Sequence, residues 1–344
     1  MKILFIGGSR NQTSMLHKIA RHLDGHDCFF TPYYGDGIID WAAKQGWLDF
    51  TVLGGRHKAY TDQYLFENNL PIDFGGRKNN YDLVVTSSDL LDQKILRNRR
   101  AVLVQEGIME PLNLRYYLHR YLGFPRWMAN TATTGLSDAY DVFCVASRGY
   151  RDQFVARGVR PEKIAVTGIP NFDHAHAFLE NDFPHRDYVL AATSNSRETF
   201  KRDDRPAFIR WARQIAAKKG KPLFFKLHPN EKVERAEREI RIHAPEACIF
   251  VEGNTDHMIA NCAVLVTQYS STTFVGAALG KEIYTYLDRN ELRRLLPIQN
   301  GGTSAKKIAS ICDAVLRTPL AELKRAPRRA SRLAWRRRWN PDAA

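Results

Sequence analysis

A series of short apolar runs, each closed by small or polar residues, constrains this chain more than any other feature. They include KILFI (2–6), YDLVVT (81–86), AVLVQ (101–105), VFCVA (142–146), KIAVT (163–167), YVLAAT (188–193), PLFFKL (222–227) and AVLVT (263–267), with shorter runs at 248–251 and 282–286. Runs this short and this uniformly apolar fit strands buried on both faces of a parallel sheet. The stretches between them read as helices, among them 13–23, 206–219 and 231–243. Strand–helix alternation predicts an α/β fold with mostly parallel sheets.

The alternation pauses once. Residues 171–186 are polar and carry His174, His176, Pro184 and His185, after which the pattern restarts. A chain of 344 residues is long enough for two cores. The expected domains are therefore 1–170 and 187–323, joined by a linker at 171–186 and followed by a basic tail at 324–344. Residues 26–80, rich in Gly, Tyr and Asp, show little regular period and are expected to form an insertion facing the cleft between the domains.

Charge and composition exclude several classes. No apolar run approaches the roughly 20 residues of a membrane helix, and the first residues read as a strand entering a turn, not as a secretion signal. Five scattered cysteines with no CxxC pair suggest buried, reduced thiols and a cytoplasmic setting. The net charge is +14, and the tail holds eight cationic residues against the single acid Asp342, with Trp335 and Trp339 among them. Arginines beside tryptophans suit an anionic inner-membrane surface as well as they suit a solvated tail, and both more than nucleic acid.

Parallel sheets bind ligands beyond the carboxyl ends of their strands, so polar strand ends are the candidate site. Gly7-Gly8-Ser9 follows the first strand and allows close backbone approach, although an ordinary tight turn has the same composition. Glu106, between Gln105 and Gly107, is placed to act as a general base. Pro229 forces His228 out of helical conformation, so the imidazole ends its strand beside Lys226 and can meet phosphate or a sugar hydroxyl. Thr267 precedes Gln268-Tyr269-Ser270-Ser271-Thr272-Thr273 at a helix start, more hydroxyls than one N-cap uses. Ser194-Asn195 after YVLAAT is a similar strand end. No metal-ligand spacing, Walker motif or GxSxG occurs, and no cofactor is expected.

Three stretches carry a family resemblance: Asp141–Asn171, His228-Pro229 and Val266–Lys281 (VTQYSSTTFVGAALGK). Over about residues 80–290 the chain resembles two-Rossmann, GT-B-type proteins of bacterial envelope polysaccharide synthesis. The groups are the capsule-type glycosyltransferases, the CDP-glycerol glycerophosphotransferases and the UDP-N-acetylglucosamine 2-epimerases. The resemblance implies a GT-B-like fold with its site in the interdomain cleft, and donor-phosphate contacts for His228, Ser270 and Ser271. The His-Pro pair and the TxYSSxxFxxxxLGK run are most similar to the two transferase groups. Gln105-Glu106-Gly107 matches the position of the epimerase H-x-E-A-G acid, but Gln268-Tyr269-Ser270-Ser271 lacks that family's acid pair, which counts against epimerisation.

The expectation is a metal-independent glycosyltransferase that moves a sugar from a nucleotide-sugar donor to a cell-surface glycan or lipid-linked acceptor. Glu106 and His228 would be catalytic. Lys226, Thr267, Ser270, Ser271, Thr272, Ser194 and Asn195 would bind the donor, with glycine-loop contacts from Gly7, Gly8 and Gly107. The tail would hold the enzyme on the membrane. The alternatives are glycerophosphate transfer, epimerisation, and a nucleotide-sugar-binding protein without chemistry.

Overall fold

The computed structural model describes residues 1–49, 51–91, 93–109, 111–112, 114–198 and 202–324. The expected membrane-docking tail, beyond Lys324, lies outside them. The chain divides into two compact units, one built from Met1–Asp173 together with residues 302–324, the other from His174–Gly301. No helix among the described residues is long and apolar enough to cross a membrane.

The first unit holds a six-stranded sheet: β1 (Lys2–Ile6), β2 (Asp27–Thr31), β3 (Leu83–Thr86), β4 (Arg100–Val104), β5 (Val142–Val145) and β6 (Ile164–Val166). Its order is β2-β1-β3-β4-β5-β6, and every pairing is parallel. Ile3, Leu4, Phe5 and Ile6 are fully buried, as are Leu83, Val84, Val102, Leu103, Phe143 and Cys144. Burial on both faces is what the continuous apolar runs demand.

The second unit holds β7 (Val189–Ala192), β8 (Leu223–Lys226), β9 (Cys248–Phe250), β10 (Val264–Thr267) and β11 (Glu282–Tyr284), in the order β11-β10-β7-β8-β9, again all parallel. Its core packs Phe208, Ile209, Ala212 and Ile215 of the helix Arg205–Lys219 onto Val189, Ala191, Phe225 and Val266.

Three features differ from the sequence reading. Residues 26–80 are not an irregular insertion. They supply edge strand β2 and the helix Gly55–Glu67, which packs on the helix Arg10–Ala20. That helix buries only Thr61 and Leu65, too few apolar positions to announce its period. The C-terminal domain, expected to run to residue 323, ends at Gly301. The helix Ser304–Arg317 belongs to the first unit, where Ile308, Cys312 and Val315 are fully buried and the helix packs on Arg10–Ala20, β3 and β4. Ser304 N closes this return by donating to Asp173 Oδ2 at 2.6 Å. Finally, Cys144, Cys262 and Cys312 are buried thiols, but Cys248 is exposed at the start of the short strand β9.

Candidate functional site

Each sheet has one point where the chain reverses its direction of growth. In the first unit the chain adds β2 on one side of β1 and then returns to place β3 on the other. In the second it adds β8 and β9 on one side of β7 and returns to place β10 on the other. Such switch points open a crevice at the carboxyl ends of the strands. Gly7-Gly8-Ser9 stands at the first, with Glu106 after β4 beyond it. Thr193-Ser194-Asn195 and Gln268–Ser271 stand at the second, with His228 after β8 beside them.

In the first unit, Gly7 and Gly8 make room for the turn that opens the helix Arg10–Ala20. A Cβ at Gly8 would lie 1.6 Å from Gln12 Oε1, and one at Gly7 2.3 Å from Thr13 Oγ1. Ser9 and Gln12 form a capping box. Gln12 N donates to Ser9 Oγ at 3.3 Å, and Ser9 N donates to Gln12 Oε1 at 3.1 Å. The other half of the same amide, Nε2, donates to Glu106 Oε2. One glutamine thus caps the helix and orients the carboxylate. The Ser9-x-x-Gln12 spacing is a readable capping signal, but nothing local ties Gln12 to a residue 94 positions away.

Gln105 fixes the backbone on either side of that acid. It accepts from Ala146 N at 2.9 Å and donates to Gly107 O at 2.9 Å, stapling the end of β4 to the end of β5. Nothing crowds Gly107. Burial pushes the Glu106 carboxyl above its ordinary range, and the hydrogen bonds from Gln12 and Ser9 offset that only in part. A carboxylate so raised is a better proton acceptor than a solvated one. Gly8→Ala should displace Gln12 and lose the cap, lowering stability by about 1 kcal/mol in a denaturant titration.

In the second unit, His228 N donates to Thr193 Oγ1 at 3.0 Å and to Glu231 Oε2 at 3.1 Å, while Asn230 N donates to His228 Nδ1 at 3.1 Å. With Nδ1 accepting, the neutral imidazole carries its proton on Nε2. Behind it lies a chain of buried polar groups that sequence reasoning missed. Arg205 Nη1 meets Glu231 Oε1 at 2.9 Å, and Arg205 Nη2 meets Asp203 Oδ2 at 2.9 Å and Ser194 O at 2.6 Å. Asp203 Oδ1 accepts from Gln268 Nε2 at 2.6 Å, and Gln268 Oε1 accepts from Ser194 Oγ at 2.6 Å. The Asp203 and Glu231 side chains are wholly buried and Arg205 is 1% exposed. Burial raises the Glu231 carboxyl, and Arg205 works against it. The network ties together the ends of β7, β8 and β10.

The hydroxyls lie on this frame. Ser194 Oγ is 3.0 Å from Ser196 Oγ, and Thr272 Oγ1 donates to Ser270 Oγ at 2.9 Å. Ser271 occupies the N-cap position of the helix Thr272–Ala278 without a side-chain capping bond. Thr267 is fully buried, below the surface its neighbours form. Lys226 is also buried, and its ammonium donates to Leu227 O at 2.9 Å and Val251 O at 2.8 Å. A phosphate contact from Lys226 would require exchanging those carbonyls.

No family model matches the sequence, and no curated protein matches it. Solved structures do match. UDP-GlcNAc 2-epimerase from Neisseria meningitidis, solved bound to UDP-GlcNAc, superposes with a TM-score of 0.59 at 11% identity, covering 91% of this chain and 100% of that one. UDP-GlcNAc 2-epimerase from Methanocaldococcus jannaschii, in complex with UDP-GlcNAc and UDP, gives 0.54 at 15% identity, with 93% and 94% covered. The wall teichoic acid polymerase TagF gives 0.54 at 10% identity, with 94% and 90% covered. The likeness is one of fold, and it makes this chain a GT-B-like protein of two parallel-sheet α/β units.

Proposed function

We propose that this protein is a glycosyltransferase that takes a sugar from a nucleotide-sugar donor and passes it to a glycan or lipid-linked hydroxyl of the cell envelope. The observation that carries the reading is the β7–β10 switch point. There Ser270, which accepts from Thr272 and keeps its own proton to donate, and Ser271 present hydroxyls beside strand ends locked by a buried charged network, and His228 holds its proton on Nε2 at the neighbouring strand end. Hydroxyls and an N–H donor on a rigid frame suit the diphosphate of a donor, whose charge grows as the glycosidic bond breaks.

In this reading the acceptor oxygen attacks the anomeric carbon as the bond from that carbon to the phosphate oxygen breaks. The electron pair of the broken bond leaves with the nucleotide, where His228 Nε2–H and the serine hydroxyls stabilise it. The acceptor's proton passes to Glu106, whose raised basicity suits the task. Lipid-linked acceptors place the reaction at the cytoplasmic face of a membrane.

A thermal-shift panel of CMP, CDP, UDP, GDP and their sugar and glycerol conjugates tests the donor site. A ligand at 100 times its Kd stabilises by about 2.7 kcal/mol. His228→Ala should weaken the active nucleotide at least about tenfold, since a hydrogen bond to a charged group contributes roughly 1.5–3 kcal/mol. An unchanged Kd would remove His228 from the site. Conversion of UDP-GlcNAc without any acceptor would instead identify an epimerase, and release of CMP from CDP-glycerol a glycerophosphate transferase. A nucleotide that binds and is never turned over would leave a binding protein.

A further inference from the structure

The segment 114–127 of the first unit inverts the usual placing of apolar side chains. Its helix, Leu114–Leu122, buries only Tyr116, whose hydroxyl donates to Arg157 O at 3.1 Å and anchors the helix to the unit. The stripe at helical spacing stays outside. Leu114 is 73% exposed and Tyr121 76%, with Tyr117 between them and Leu122 alongside at 67%. The Tyr117 and Tyr121 rings stack at 6.3 Å with planes 3° apart. Beyond Gly123, whose φ of 69° turns the chain, Phe124 and Trp127 continue the exposed surface, and His119 Nδ1 pairs with Phe124 O at 2.6 Å to hold the turn. From 111 to 128 the sequence carries Arg115, Arg120 and Arg126 and no acidic residue.

We propose that this surface docks the protein on an anionic lipid bilayer. Leu114, Tyr121, Leu122 and Trp127 would enter the boundary between headgroups and acyl chains, with the exposed Arg115 and Arg120 meeting lipid phosphates, while Arg126 turns inward and donates to Asp89 O at 3.2 Å. Exposed leucines and aromatic rings interleaved with arginines and free of acids are the pattern of a helix lying in that boundary. Charge selects this occupant. A second copy packed symmetrically on the same face would set its own Arg115 and Arg120 against these. A soluble glycan could stack on the tyrosines but would gain nothing from Leu114 and Leu122. A bilayer uses every group in the set. The inference stands apart from the donor-site reading and does not depend on the basic tail.

The test uses the full chain and vesicles of phosphatidylglycerol mixed with phosphatidylcholine. Flotation should show the parent protein on these vesicles and far less of it on pure phosphatidylcholine. Tyr121→Glu combined with Leu122→Glu should lower the partition coefficient at least tenfold with an unchanged melting temperature, because neither side chain is part of the core. Acyl chains brominated near the headgroup should quench part of the tryptophan fluorescence, and Trp127→Phe should remove a share of that quenching. Equal partitioning of parent and double variant would overturn the proposal, as would quenching that ignores Trp127→Phe. A parent that is dimeric by light scattering, with a monomeric double variant, would also overturn it and assign the face to a second copy.

Discussion

Glu106→Gln should lower turnover of an identified donor–acceptor pair by roughly 10²–10⁴-fold, the range for losing a general base. The Kd of the donor should not move, because its proposed contacts belong to the other unit. The geometry should survive as well, since a glutamine side-chain oxygen can still accept from Gln12 Nε2. The same substitution carries a stability signature of defined sign. Burial raises the native Glu106 carboxyl above its unfolded value. Between those two values the unfolded chain holds fewer protons than the native one, so stability falls as pH rises through the window. Above it, the protein bears the cost of a partly buried carboxylate. Glu106→Gln should therefore melt higher than the parent at pH 7 to 8, and the gap should close below the ordinary glutamate range of about 4.3. A variant that is both slower and more stable at neutral pH would mark an acid kept for chemistry. One that retains kcat would show that Glu106 is not the base.

Arg205→Met should have the largest effect on folding. It leaves the wholly buried Glu231 carboxylate without its cation and Asp203 with only Arg197 Nε, 3.7 Å away. Breaking a buried pair by removing one partner costs about 3–5 kcal/mol, a large share of a domain's stability. Urea titration followed by a probe in residues 174–301 should show the loss. Adding Asp203→Asn and Glu231→Gln to Arg205→Met should recover much of it, because the stranded charges and not the missing guanidinium dominate the cost. If Arg205→Met alone costs under about 1 kcal/mol, the network is solvated in solution and does not lock the strand ends.

The strands were legible because their signal is local. A strand buried on both faces needs an unbroken apolar run, and KILFI, AVLVQ or YVLAAT can satisfy that need in few other ways. Their polar ends were legible for the same reason, so Glu106, His228 and Ser270 could be singled out one strand at a time. The edge strand Asp27–Thr31 was not, because only its last two residues are buried and its run is correspondingly mixed. The helix Ser304–Arg317 carries an apolar face, but nothing in its sequence assigns it to the first unit. An apolar face states that it must be covered and does not state by what.

What the sequence by itself determined is the alternation of buried strands with helices, the division into two parallel sheets, and the polar residues that end each strand. These follow from burial and backbone geometry acting within a few residues. What the tertiary structure alone decided is which of those ends become neighbours and what holds them. Sheet order sets β7 between β8 and β10, which joins Ser194, Glu231 and Gln268 through Arg205 and Asp203. Sheet order likewise brings Gln12 to Glu106. A buried charge takes whichever partner the fold brings within hydrogen-bonding distance, and that distance is a property of strand order, not of spacing along the chain.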